Sequence, residues 1–208
     1  MSRLWDRGEP LDRLVLEYTA GEDHALDARL VAYDVRASSA HAAMLHARGY
    51  LGEGDHDALQ RALAAAGEAH ARGEWRVTLE DEDAHPALEN QLVLRAGDAG
   101  HRIHLGRSRN DQVLAALRLY LKDALEALAG LAEEVAAALD GLAARQGRLE
   151  MPGYTHLQRA MPSTVGLWAQ GFAAELRDDA EGLRAARRRA DRNPLGSAAG
   201  YGVPVLSL

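Results

Sequence analysis

Hydrophobic positions recur at three- and four-residue steps along most of the chain, the period of helices with one face turned to a core. Leu26, Leu30, Tyr33, Ala37, Ala40 and Met44 trace such a stripe over residues 22–48, with Gly49 as a natural stop. Leu59, Leu63 and Ala66 trace a second, with Asp55 as its expected cap and an end near Gly73. Residues 74–79 read as a short extended link. A third helix is expected from Pro86, whose missing N–H costs nothing in a first turn, through Leu88, Leu92 and Val93 to Gly97. Residues 98–110 read as a loop punctuated by Gly100 and Gly106.

The longest periodic run follows, from Val113 to Ala144, with Leu114, Leu117, Leu121, Leu125, Leu128, Val135, Leu139 and Leu142 in step. A helix of that length spans roughly 45–50 Å. Pro152, Gly153 and Pro162 break the pattern over residues 147–163, where no convincing strand is legible. Ser163 is the expected cap of a last helix with Val165, Trp168, Phe172, Leu176 and Leu183 on its core side, ending near Asn193-Pro194. The pattern predicts an all-α fold: a small helical N-terminal domain over residues 1–100, then over 101–208 the opening long helices of a central bundle. Two long helices with wide apolar faces cannot bury them on each other alone, so further helices, downstream or from other subunits, are required.

Composition narrows the function classes. Hydrophobic residues make up 47% of the 208, which excludes disorder, and aromatics only 5%, which favours packing through Leu and Ala. A net charge of -7 argues against a general nucleic-acid or anionic-membrane binder. With no cysteine there is no disulfide, thiolate metal site or thiol nucleophile. Met1–Asp6 opens no signal-like apolar core, and no run of roughly 18 apolar residues occurs, so a cytoplasmic protein without a membrane span is expected.

Two polar runs border the long helices. Ser108, Arg109, Asn110 and Gln112 offer donors at the start of the longest one, where backbone N–H groups and the helix dipole favour a carboxylate. Asp111 capping that helix is the plainer reading of the same run. In Gly153–Ala160, Thr155 and Gln158 can donate to a carboxylate, and His156 can exchange protons near neutral pH. His85 and Glu89 have the spacing of a metal pair on one helix face, but Pro86 and the lack of a third nearby ligand argue against metal. Arg184, Arg187, Arg188, Arg189 and Arg192 form a basic stripe that suits a helix C-terminus better than RNA.

Gly106–Gln112 and Pro152–Ala160 resemble two signature blocks of the argininosuccinate lyase family, within the fumarase/aspartase superfamily; the second departs at Met161, where Gln is usual. Glu82-Asp83-Ala84-His85 with Glu89, and Asn193–Ser197, are similar to further family segments. Gly21 falls where many members carry a substrate-loop serine, so that role is not carried over. The resemblance implies β-elimination of argininosuccinate to arginine and fumarate, with no cofactor and no obligatory metal, in a homotetramer whose active sites draw on different subunits; the alternatives are another lyase of the superfamily, acting on adenylosuccinate or fumarase-like, and a non-catalytic structural protein with the lyase fold. It implies that Ser108, Arg109, Asn110, Thr155, Gln158 and His85 contact substrate and that His156 is catalytic; His104 matches a further family histidine. A third family block, Gly-Ser-Ser-x-Met-Pro-x-Lys, does not occur before Leu208, so the chain reads as a truncated lyase, its N-terminal half, expected to be inactive alone.

Overall fold

Helix α1 (Arg13–Ala20) starts where the Asp12 carboxylate accepts from the N–H groups of Leu14 and Val15, an N-cap written in the sequence. This computed structural model describes residues 12–198 and 200–202. They divide into two units, one holding the chain up to Tyr120 with the residues from Asn193 on, the other Leu121–Arg192.

In the first unit the stripe expected over 22–48 is not one helix. It is α2 (Asp23–Leu26), a 3-10 turn (Asp27–Arg29) and α3 (Val31–Ala47). The three-residue step of the turn keeps the hydrophobic period running through the break, which hides it from the sequence pattern. α4 (Glu53–Ala71) starts two residues before Asp55, on Gly52. The extended link leads to a 3-10 turn (Leu79–Asp81) closed by a Thr78–Asp81 capping box. α5 (Ala84–Ala96) begins before Pro86, with the Asp83 side chain accepting from His85 N–H at 2.9 Å. The expected loop after it contains α6 (Asp98–His101) and a 3-10 turn (Arg102–His104). Left-handed Gly97, φ 58°, ends one helix and starts the next. Gly100 admits no side chain, since a Cβ there would lie 2.6 Å from Val93 N. Leu45, Leu59, Leu63, Leu88, Leu92 and Ile103 are almost fully buried and form the core between α3, α4, α5 and the 3-10 turn.

α7 (Arg109–Gln146) is 38 residues long, about 57 Å, and runs from the first unit into the second. In the second unit the break is a β-hairpin, β1 (Glu150–Thr155) against β2 (Gln158–Thr164), where no strand was legible. Its residues are mostly exposed on both faces, so they carry no apolar alternation to detect. α8 (Val165–Ala190) is capped by Thr164, whose Oγ1 accepts from Leu167 N–H at 3.0 Å, rather than by Ser163. Gly147 and Gly166 meet at the base of the hairpin: Gly166 N–H donates to Gly147 O at 3.2 Å, and a Cβ on Gly166 would sit 2.9 Å from that oxygen.

On these two helices the predicted stripe is only partly covered, with Leu121, Leu125, Leu139, Leu142, Leu176 and Leu183 half-buried, and the fully buried positions are small residues beside it. Ala129 and Ala136 of α7 and Ala169, Ala173 and Ala180 of α8 are fully buried, while Leu128, Val135, Trp168 and Phe172 are about half exposed. Small residues let two helices approach closely, and the large ones are left facing outward. The ion pairs Arg177–Asp140, Arg184–Glu133, Arg187–Glu126 and Lys122–Asp191 run along the antiparallel pair and absorb part of the basic stripe. Among the described residues no helix is long and apolar enough to cross a membrane.

Candidate active site

The first polar block is built into the start of α7. Ser108 N–H donates to Asp111 Oδ2 at 3.1 Å and Asp111 N–H donates to Ser108 Oγ at 3.2 Å, a reciprocal cap. Ser197 Oγ donates to the other Asp111 oxygen at 3.1 Å, tying the Asn193–Ser197 segment to this cap. Ser108 is thus the N-cap and Asp111 its third-position partner, rather than Asp111 alone capping the helix, and the pair leaves neighbouring Asn110 exposed at the helix N-terminus.

Arg109 forms an ion pair with Asp83, the residue that caps α5, so the N-termini of α5 and α7 are locked together. Both line a cavity of about 380 Å³ with Val15, Thr19, Asp23 and Glu82. Thr19 spends its hydroxyl on its own helix, donating to Val15 O at 2.9 Å. Glu82 has φ 71°, a left-handed conformation that a non-glycine residue adopts at a cost, and such strain gathers at functional sites. This wall holds three carboxylates and one guanidinium, too little positive charge for a dianion by itself.

Behind the cavity lies a buried polar network absent from the sequence reading. Asp34 of α3 is fully buried and accepts from Ser38 Oγ at 3.1 Å, from Gln112 Nε2 at 3.0 and 3.1 Å, and from His85 Nδ1 at 2.7 Å. Arg107 Nη1 donates to Ser38 Oγ at 3.2 Å. Burial pushes the Arg107 guanidinium below its usual value, against the opposing pull of Asp34, Glu89 and Asp111. Burial also pushes His41 down to about 4; the Arg107 charge adds to this, and the hydrogen bond to Leu105 O at 2.9 Å opposes it. His104 is lowered by burial as well, with Glu89 opposing. The signal for this network was present as Asp34, Ser38 and His41 at helical spacing, on a face whose apolar neighbours are Val31, Ala42 and Leu45.

Asp27, Asp83 and His85 place ligand atoms within 4.8 Å of one another. A cation there would compete with Arg109 for Asp83, and His85 Nδ1 is already committed to Asp34.

The second block forms the hairpin of the other unit. Thr155 pairs with Gln158, so His156 and Leu157 are its two-residue tip, with φ 52° and 61°. That is the conformation of a tight hairpin turn usually taken by Asn-Gly, here held by two side chains that resist it. A Cβ on Gly153 would lie 2.6 Å from Met161 O, and the pairing is irregular at that point, which turns the strand before the tip. Thr155 Oγ1 and His156 Nδ1 are 2.7 Å apart, and Leu157 is 96% exposed. Thr155, His156 and Gln158 thus stand on an exposed tip, while His85, Ser108, Arg109 and Asn110 belong to the first unit.

A family profile described as lyase matches residues 8–207. A relative from Sorangium cellulosum (strain So ce56), named argininosuccinate lyase, is 52% identical over 201 residues, 97% of this chain and 47% of the relative. One of the same name from Thermotoga neapolitana is 39% identical over 203 residues, 98% of this chain and 51% of the relative. The chain spans about half the length of the curated relatives it matches. Among solved structures it resembles EDDS lyase in complex with formate, with a TM-score of 0.74 and 25% identity over 95% of this chain and 39% of that one. A fumarate lyase:delta crystallin from Brucella melitensis shares the fold, with a TM-score of 0.69 and 22% identity over 84% of this chain and 42% of that one. With a profile match that leaves out only residues 1–7 and 208, the chain belongs to the lyase family.

Proposed function

We propose that this chain is the part of an argininosuccinate lyase that carries two of its substrate-contacting blocks. The reaction is β-elimination: a proton leaves the carbon beside a carboxylate, the guanidinium nitrogen departs from the adjacent carbon, and arginine and fumarate result. The carbanion-like transition state loads a second negative charge onto that carboxylate, so catalysis needs preorganised donors around it and a positioned proton-transfer group. Asn110, Ser108, Arg109 and the N-terminus of α7 supply donors on one unit; Thr155 and Gln158 supply them on the other. His156 transfers the proton, His85 contributes to substrate binding, and neither cofactor nor metal takes part.

The observation that carries this reading is the 52% identity to the Sorangium cellulosum relative across nearly the whole chain. The cavity wall beside Arg109 supports its corollary: with three carboxylates and one guanidinium it needs donors from elsewhere. In this reading those come from other subunits of a cytoplasmic homotetramer, through blocks such as the exposed His156 tip. The functional division of the chain is then a helical N-terminal domain over residues 1–100 and the start of the shared bundle over 101–208. No nucleic acid or membrane enters the scheme. The test is a substrate panel on the full-length lyase that contains this segment: argininosuccinate should give equimolar fumarate and arginine. Fumarate released only from adenylosuccinate, or none from any substrate, overturns the assignment.

A further inference from the structure

Asp34 is the least expected side chain in the molecule. It is a carboxylate with no exposure, on a helix face that packs into the core, and among the described residues no Lys or Arg is its direct hydrogen-bond partner. Burying a carboxylate costs several kcal/mol or more unless its lone pairs are filled. Here they are filled by donors from three places: Ser38 on its own helix, His85 in the first turn of α5, and Gln112 in the first turn of α7. α5 and α7 are the two helices whose N-termini carry Asp83 and Arg109 to the cavity. A carboxylate only accepts, so the His85 Nδ1 beside it bears a proton, which fixes the ring's rotation. His85 Nε2 is buried and has no partner among the described residues.

We propose that Asp34 is a positioning residue for the lyase reaction. From behind the site it sets the orientation of the His85 ring and the placement of the block at the start of α7. The arrangement parallels the carboxylate–histidine pairs that orient imidazoles elsewhere, where the acid touches neither substrate nor reacting atoms and acts through the ring it holds. The link to substrate is short. Ser38 passes the hold on to Arg107, and Gln112 passes it to the turn that contains Arg109 and Asn110. Displacing either group by about 1 Å is enough to cost a large factor in substrate handling. The carboxylate orders two separated groups at once, which an apolar side chain on this face of α3 could not do.

The inference rests on the proposed lyase activity, and the test separates the two. In the full-length enzyme, Asp34→Asn should raise KM for argininosuccinate about tenfold, and the dissociation constant of fumarate measured by calorimetry should rise in parallel. His85→Asn should raise KM similarly, and the double variant should be no worse than the weaker single. A variant that only lost folded protein would instead lower apparent kcat in proportion, with KM unchanged, and that result overturns the proposal. So do multiplicative effects in the double variant. Gln112→Leu cuts one tie and leaves the carboxylate in place, so it serves where Asp34→Asn does not fold; it should raise KM about threefold, and an unchanged KM counts against the proposal. A wild-type enzyme that neither cleaves argininosuccinate nor binds fumarate overturns the functional reading itself and this inference with it.

Discussion

His41 makes the first unit acid-sensitive in a way that can be measured at one residue. Its Nε2 faces the Leu105 carbonyl at 2.9 Å, and since a carbonyl only accepts, that nitrogen carries the proton. Its Nδ1 is buried without a hydrogen-bond partner among the described residues, beside the Arg107 charge. Burial, with Arg107 adding, pushes the imidazole from 6.5 to about 4 in the folded state. The sign follows from which state protonates first. As pH falls, the opened form takes up a proton near 6.5 while the folded form stays neutral, so stability present above 6.5 is lost steadily until pH reaches about 4, and is flat below. The whole gap corresponds to about 3 kcal/mol, and about 2 kcal/mol of it falls between about pH 7 and pH 5, roughly a 20-fold change in an opening equilibrium. Amide hydrogen exchange by mass spectrometry on the full-length lyase, corrected for intrinsic rates, reads this in peptides from α3 and from residues 100–107. The control is His41→Gln, which keeps an N–H donor for Leu105 and cannot titrate. His104, lowered in the same direction, remains in both proteins, so the comparison isolates one ring. Protection in the native protein should fall about 20-fold more than in the variant over that interval. Parallel profiles would show that His41 is not held neutral by burial, and the account of the network around Arg107 would fail with it.

Other consequences are direct. His156→Ala in the full-length enzyme should lower kcat on the order of 10²–10⁴-fold, the range of a positioned proton-transfer group, with an unchanged melting temperature; near-normal turnover removes His156 from the mechanism. Ser108→Ala removes one half of the reciprocal cap on α7 and should cost about 1 kcal/mol, read as a lower urea midpoint for the first unit. Gly166→Ala should destabilise by about 1–3 kcal/mol, because its Cβ would sit 2.9 Å from Gly147 O at the base of the hairpin; an unchanged melting temperature would refute that contact. Leu157→Gly should relieve the φ of 61° at the tip, about 1 kcal/mol on thermal unfolding, and any loss of activity beside that gain marks the exposed Leu157 side chain as part of the assembled site.

Apolar periodicity reports a face when large residues are the ones buried, and this chain shows where that rule stops. In α4 and α5 it held: Leu59, Leu63, Leu88 and Leu92 are core. In α7 and α8 the fully buried contacts are made by Ala129, Ala136, Ala169, Ala173 and Ala180, while the stripe of large residues is half-buried at Leu121, Leu125, Leu139, Leu142, Leu176 and Leu183 and exposed at Leu128, Val135, Trp168 and Phe172. Ala carries little hydropathy, so a close helix pair built on it is nearly silent in the pattern, while the Leu, Trp and Phe stripe speaks for surfaces that further helices of the bundle are expected to cover. The hairpin was silent for a related reason, being exposed on both sides.

Candidate site residues stand out where polar residues crowd one short run and stay hidden where they are dispersed. Arg109, Asn110 and His156 stand in blocks; the first two lie at a helix start, as the sequence suggested, and His156 at a hairpin tip, which it did not suggest. Asp34, Ser38 and His41 are spread along α3 among apolar residues, and each taken singly looks like a solvated position. What unites them is burial against Gln112, His85 and Arg107, more than forty residues away in every case. Local pattern therefore finds polar groups that are neighbours in the chain at helix ends and turns. It misses those gathered across helix interfaces, where only the fold makes them neighbours.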